Sequence, residues 1–151
     1  MFRAIKIMEV EQRMQIIKSD DLTKEFEVQT IKCRKLENQH TFYVPTINAS
    51  NFFGNGLEVF PMRYRDEHEQ LGLAFFLDMP KDYFYKPYKV YKLKRPYKLA
   101  DGSERLTYSF YVPIPSQMIV DLGIGKGVPK LISMKGGYMP NGQKVILIQK
   151  R

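Results

Sequence analysis

Seven cations crowd into residues 81–98: Lys81, Lys86, Lys89, Lys92, Lys94, Arg95 and Lys98. Asp82 alone opposes them, so this window holds +6 of the chain's net +8. Tyr83, Phe84, Tyr85, Tyr88, Tyr91 and Tyr97 are interleaved with the cations, and Pro87 and Pro96 interrupt the run. Ammonium and guanidinium groups displace counterions from phosphates, and ring faces stack on exposed bases, so this mixture suits a polyanion. The same residues admit a plainer origin. Tyr88 to Lys94 approximates strand alternation with a solvated lysine face, and lysines on an edge strand guard it against aggregation.

Other reactive groups are sparse. His40 and His68 lie in polar surroundings without a third histidine or a cysteine partner, so no metal site is expected. Cys33, the single cysteine, sits in a strand pattern with no activating base and reads as a buried structural thiol. Asp66-Glu67-His68-Glu69 suggests acid–base work only superficially, because adjacent turn residues point apart; it is expected to be a solvated hairpin tip. Gly125-Lys126-Gly127 lacks the flanking Gly and Lys-Ser/Thr of a phosphate loop and reads as a backbone turn. No catalytic residue, cofactor or enzymatic activity is expected.

The elements that must carry the cations are mainly strands. At 151 residues, with 44% apolar and 26% charged residues, the chain suits one compact domain or two very small ones. One cysteine excludes an internal disulfide framework and points to a reducing, cytoplasmic setting. No stretch approaches the ~20 apolar residues of a membrane helix, and the charged start does not read as a secretory signal. Ile7, Val10, Met14 and Ile17 are spaced as on a helix over Ala4 to Lys18. Glu25 to Leu36 alternates as a strand with a parity change near Thr30, which predicts a bulge there.

Phe42-Tyr43-Val44-Pro45 recurs 68 positions later as Phe110-Tyr111-Val112-Pro113. Each copy is followed by a short segment, a glycine pair (Gly54 and Gly56; Gly125 and Gly127) and two apolar runs flanking a turn. Leu57 to Tyr64 and Leu71 to Leu77 flank the Asp66 turn; Leu131 to Met134 and Val145 to Ile148 flank a loop ending in Pro140-Asn141-Gly142, a strong hairpin signal. The order strand, strand, short helix, strand, strand therefore repeats. The organisation expected is a helical extension over 1–24, a diverged first repeat over 25–80, a basic tyrosine-rich linker over 81–88 and a second repeat over 89–151.

Within the second repeat, Ile114-Pro115 ends a strand, a short helix follows, and Leu122-Gly123-Ile124 leads into a glycine-containing loop and a final hairpin. Asp101-Gly102-Ser103 would turn the opening hairpin. This pattern resembles the AbrB/SpoVT/MazE swapped-hairpin domains. In the first half, Thr46-Ile47 stands where Ile-Pro is expected, and Phe52-Phe53-Gly54 stands near the Leu-Gly-Ile position. The resemblance implies a mainly β fold in which two tandem AbrB-like β-β-α-β-β repeats interlock as an intramolecular swapped-hairpin barrel, a pseudo-dimer on one chain.

The resemblance also implies binding of duplex DNA, in transcription regulation or as a small architectural factor. Members of the family place arginines just before the Val-x-Ile-Pro strand end and on the short helix. Tyr111, Ile119 and Val120 occupy those positions here, so these roles do not carry over. Contact with nucleic acid is expected instead from Lys86, Lys89, Lys92, Lys94, Arg95 and Lys98, joined by Arg105, Arg34 and Lys35. An acidic protein partner, such as a polymerase or ribosomal factor, and RNA or single-stranded nucleic acid are the alternatives. A monomeric pseudo-dimer or a homodimer is expected.

Overall fold

Strands make up most of the described residues. The computed structural model describes residues 15–32, 34–36, 39–44, 52–53, 58–81, 83, 86–119, 122–123 and 131–150. Eleven strands run through them: β1 (Gln15–Ile16), β2 (Thr23–Lys32), β3 (Arg34–Leu36), β4 (Gln39–Val44), β5 (Glu58–Arg65), β6 (Leu71–Phe76), β7 (Tyr88–Lys89), β8 (Tyr91–Lys98), β9 (Glu104–Pro113), β10 (Leu131–Tyr138) and β11 (Lys144–Lys150). The helical content among the described residues is slight: 3-10 turns at Ser19–Asp21 and Ser116–Met118, and helical backbone at Phe52 and Phe53. No helix among them is long and apolar enough to cross a membrane.

The strands form two sheets rather than the closed barrel expected. The larger runs β1-β5-β6-β11-β10-β2, with β7 also pairing on β5; the smaller runs β3-β4-β9-β8. Closure would need a ladder between the sheets' edges, but β3 and β8 each end the smaller sheet. At two of its four crossings between sheets the chain turns a corner within one residue. Strand β2 pairs with β10 through Lys32 opposite Leu131, and β3 begins in the other sheet at Arg34. Likewise β7 pairs with β5 through Val59 opposite Tyr88, and β8 begins in the smaller sheet just past the buried Val90.

The sheets share one core. Phe42, Val44, Phe110 and Val112 of the smaller sheet pack with Leu73, Phe75, Ile132, Ile146 and Ile148 of the larger. Phe42 meets Phe75 edge-on with ring centroids 5.1 Å apart, and Phe53 stacks on Phe110 at 4.7 Å. Ile114, Met118 and Leu122, from the segment after β9, join the same cluster. Fully burying each such side chain contributes about 1.5–3 kcal/mol. The other face of the larger sheet buries Tyr64, Ala74, Phe76, Val145 and Leu147 beneath Ile17 and Leu22.

That second cluster explains a departure from the expected N-terminal helix. Residues 1–14 lie outside the described structure, but Gln15 and Ile16 are extended and pair in parallel with Tyr64 and Arg65. The Ile17 amide donates to the Arg65 carbonyl at 2.9 Å. Satisfying the edge of β5 and burying Ile17 outweigh the helical spacing at this end. The bulge expected near Thr30 is present: Ile31 opposes Ile132 and Val28 opposes Met134, leaving one extra residue on β2. Strand β10 runs four residues past Met134, through Gly136 and Gly137. A Cβ at Gly136 would lie 2.1 Å from the Phe26 ring, so the glycine makes room for a core aromatic.

Three hairpins close with one turn. In Asp66–Gln70, Leu99–Ser103 and Met139–Gln143, the first amide donates to the fifth carbonyl and the fourth amide to the first carbonyl. The fourth residue is left-handed each time: Glu69 (φ 64°), Gly102 (φ 86°) and Gly142 (φ 86°). Asp66 is not the solvated tip residue expected. It is only 5% exposed, and its carboxylate accepts from the His68 and Gln70 amides at 2.8 Å and from Gln149 Nε2 at 3.1 Å. Burial opposes its ionisation, but these hydrogen bonds prevail and hold the carboxyl below its usual range.

Glu69→Gly should stabilise the protein by about 0.5–1 kcal/mol, because a left-handed non-glycine residue costs roughly 1–2 kcal/mol and glycine's extra chain entropy offsets part of the gain. Gly102→Ala and Gly142→Ala, which meet no neighbour within 4 Å, should each lose about 1 kcal/mol from backbone strain alone. Urea midpoints at constant m-value measure all three. A second expectation concerns acid. The unfolded chain binds a proton at Asp66 more readily than the folded one, so this contribution is complete above pH ~4 and fades as pH falls toward the depressed folded value. Asp66→Asn should therefore be less stable than wild type at pH 7, with the difference shrinking below pH 4 in paired urea titrations.

Candidate nucleic-acid interface

The expected cationic residues fall into three places. Strands β8 and β9 form the longest hairpin, paired from Tyr91 opposite Tyr111 to Lys98 opposite Glu104. Strand β4 covers β9 only from Phe110 to Pro113. Beyond that point the hairpin is a two-stranded ribbon of six rungs, Leu93–Ser109 to Lys98–Glu104, about 17–20 Å long at ~3.4 Å per residue. From Lys94 to Leu106 its described side chains are almost all exposed, and the ribbon has solvent on both faces.

Alternation sorts the ribbon's residues. Lys92, Lys94 and Lys98 share one face, together with Pro96, Leu106 and Tyr108. Lys92 Nζ lies 4.2 Å from the centre of the Tyr108 ring, a cation–π contact that keeps its charge beside the ribbon. The other face carries Leu93, Tyr97 and Arg105, with Arg95 in register opposite Thr107. Two acids accompany these five cations. Glu104 opposes Lys98, and Asp101 is engaged inside the turn, accepting from the Ser103 hydroxyl at 2.6 Å and the Ser103 amide at 2.9 Å. Those bonds hold the Asp101 carboxyl below its usual range, so it stays ionised.

Lys86 and Lys89 lie apart from the ribbon, at the corner where the chain changes sheets. With Gln39, Glu58, Tyr88 and Tyr91 they line an open cleft of about 460 Å³. Lys89 is in register opposite Glu58, so this corner is not purely cationic. Tyr91 donates its hydroxyl proton to Gln39 Oε1 at 3.1 Å across the cleft wall. Arg34 and Lys35 stand opposite Thr41 and His40 on β3, the far edge of the smaller sheet. Two strands separate them from β8, about 14 Å at ~4.8 Å per strand. The fold gathers Lys92, Lys94, Arg95, Lys98 and Arg105 on one ribbon and leaves the other four elsewhere.

Sequence reasoning missed the projection of the ribbon. Leu106, Tyr108 and Phe110 alternate as a core face would, yet burial begins only at Phe110; Tyr108 is half-buried and Leu106 is 61% exposed. The usable signal was Pro96 directly opposite Leu106, since proline marks a strand with a free edge. Among the described residues, groups suited to covalent or acid–base chemistry do not converge. Burial, with Asp66 and Glu67 nearby, pushes the Tyr64 hydroxyl up and keeps it protonated. No three metal-ligating side chains cluster among the described residues. Cys33, Gly54, Gly56 and the Gly125–Gly127 turn lie outside them. No family model, curated protein or solved structure matches the chain.

Proposed function

We propose that this chain binds duplex DNA through the β8–β9 ribbon, as a transcriptional regulator or small architectural factor built from two unequal copies of one β-rich unit. The observation that carries the reading is a cationic ribbon extending beyond the core shared by the two sheets. A two-stranded antiparallel ribbon can lie in a DNA groove, and lysines and arginines along it neutralise the flanking phosphates.

Strand register supports the two-copy reading. The repeated motif meets itself: Tyr43 opposes Tyr111, Phe42 opposes Val112 and Val44 opposes Phe110. An element paired antiparallel with its own repeat, centred on the same residue of each copy, is what a local two-fold axis produces. The larger sheet is likewise ordered β5-β6-β11-β10 at its centre, one hairpin from each half. Strands β2 and β7, each leading into its half's hairpin, pair with the other half's β10 and β5. That exchange supports reading the two halves as swapped, AbrB-like units, here in two open sheets.

Duplex affinity should fall steeply with salt. Replacing Lys92, Lys94, Arg95 and Lys98 together with glutamine should flatten the log K against log salt slope by about 0.9 for each phosphate no longer neutralised, up to roughly 3.6. Fluorescence anisotropy with duplex DNA, single-stranded DNA and RNA at several salt concentrations measures this. An unchanged slope would place the interface elsewhere, and failure to bind any of the three would favour an acidic protein partner.

A further inference from the structure

Three of the four large exposed hydrophobics among the described residues, Leu93, Tyr97 and Leu106, stand on the ribbon. A single exposed leucine is ordinary. Leu106, however, is paired directly across the ribbon with the exposed Pro96. The two form an apolar rung between the Lys94–Tyr108 and Lys98–Glu104 rungs of the same face, each ~7 Å away. No strand or core lies behind this rung to bury it.

An apolar pair can neither hydrogen-bond a base edge nor neutralise a phosphate. In contact with a duplex it can pack on a thymine methyl or enter between base pairs, and the second use unstacks a step and bends the helix while flanking cations hold the backbone. We infer that Pro96 and Leu106 form a wedge that kinks duplex DNA at the ribbon. This rests on the duplex-DNA function proposed above. A second copy of the chain is the competing occupant, and charge argues against it, because facing ribbons would oppose Lys92, Lys94 and Lys98 to their own copies with only Glu104 in relief. Pro96 also removes an amide from the β8 edge, which discourages strand addition.

Unstacking costs least at flexible pyrimidine–purine steps and at mismatches. The wedge therefore implies a preference for a duplex with a weakened central step. The test uses the full chain and a ~30-base-pair duplex with a dye at each end, intact or carrying one central mismatch. Wild type should shorten the end-to-end distance by energy transfer and prefer the mismatched duplex about ten-fold, equivalent to about 1.4 kcal/mol. Leu106→Asn, alone and with Pro96→Ser, should abolish the shortening and the preference while keeping affinity for intact duplex within a few-fold. Leu106 is 61% exposed, so the single variant should leave the thermal midpoint unchanged. Binding without shortening, or shortening that survives both variants, overturns the wedge and leaves DNA binding standing. Absence of any duplex binding overturns both. A dimer by light scattering that Leu106→Asn converts to monomer would assign the rung to self-association and also overturn the wedge.

Discussion

The antiparallel ladder between β4 and β9 is the constraint on which the rest depends. It joins two hairpins far apart in the chain, and its inward residues Phe42, Val44, Phe110 and Val112 supply one wall of the main core. Neither hairpin has enough apolar surface to stand alone, since an isolated two-stranded ribbon is marginal in water. Pairing them makes a four-stranded sheet, and packing that sheet on Leu73, Phe75, Ile146 and Ile148 removes its inner face from water. The larger sheet is assembled by the same device, with β6 and β11 paired from Gly72 opposite Gln149 to Phe76 opposite Val145. Both sheets thus depend on contacts between segments distant in the chain.

Much of this was legible in the sequence, because period-two patterning and turn chemistry are local signals. The strand positions around Phe42, Phe60, Phe75, Phe110 and Ile146, the bulge near Thr30 and the turns at Gly102 and Gly142 follow from residue types alone. What was not legible depended on tertiary neighbours. Gln15 and Ile16 are extended because β5 offers an unpaired edge, which no helical spacing in their own segment reveals. Gly136 and Gly137 look like a loop until Phe26 and Thr23 are placed against them. Asp66 looks like a solvated turn carboxylate until Gln149, far along the chain, arrives to donate to it.

The candidate interface was half legible for a related reason. Composition shows the cations clustered in residues 86–98, but charge clustering along a sequence does not say which residues share a face. Register does: it sets Lys92, Lys94 and Lys98 together and moves Lys86 and Lys89 to a corner that also holds Glu58. Arg34 and Lys35 were grouped with them because both segments enter equivalent hairpins. The sheet order places them on opposite edges instead.

The two hairpins differ in one respect that bears on function. Past Phe42 the β3–β4 hairpin has three described rungs, Arg34–Thr41 to Leu36–Gln39, whereas past Phe110 β8–β9 has six, Leu93–Ser109 to Lys98–Glu104. Lengthening a hairpin by whole rungs leaves its base in register, so Phe42 and Phe110 keep equivalent inward positions although one hairpin ends early and the other runs on. The added rungs project past the core, and their residues answer to solvent and to whatever the ribbon touches rather than to packing. That separation lets cations and exposed apolar groups accumulate on β8 and β9 without weakening the core. A surface that exposes Leu93, Tyr97 and Leu106 beside five cations gains nothing in stability from doing so. The polyanionic partner proposed above would suit that composition, because the ribbon's net charge is positive.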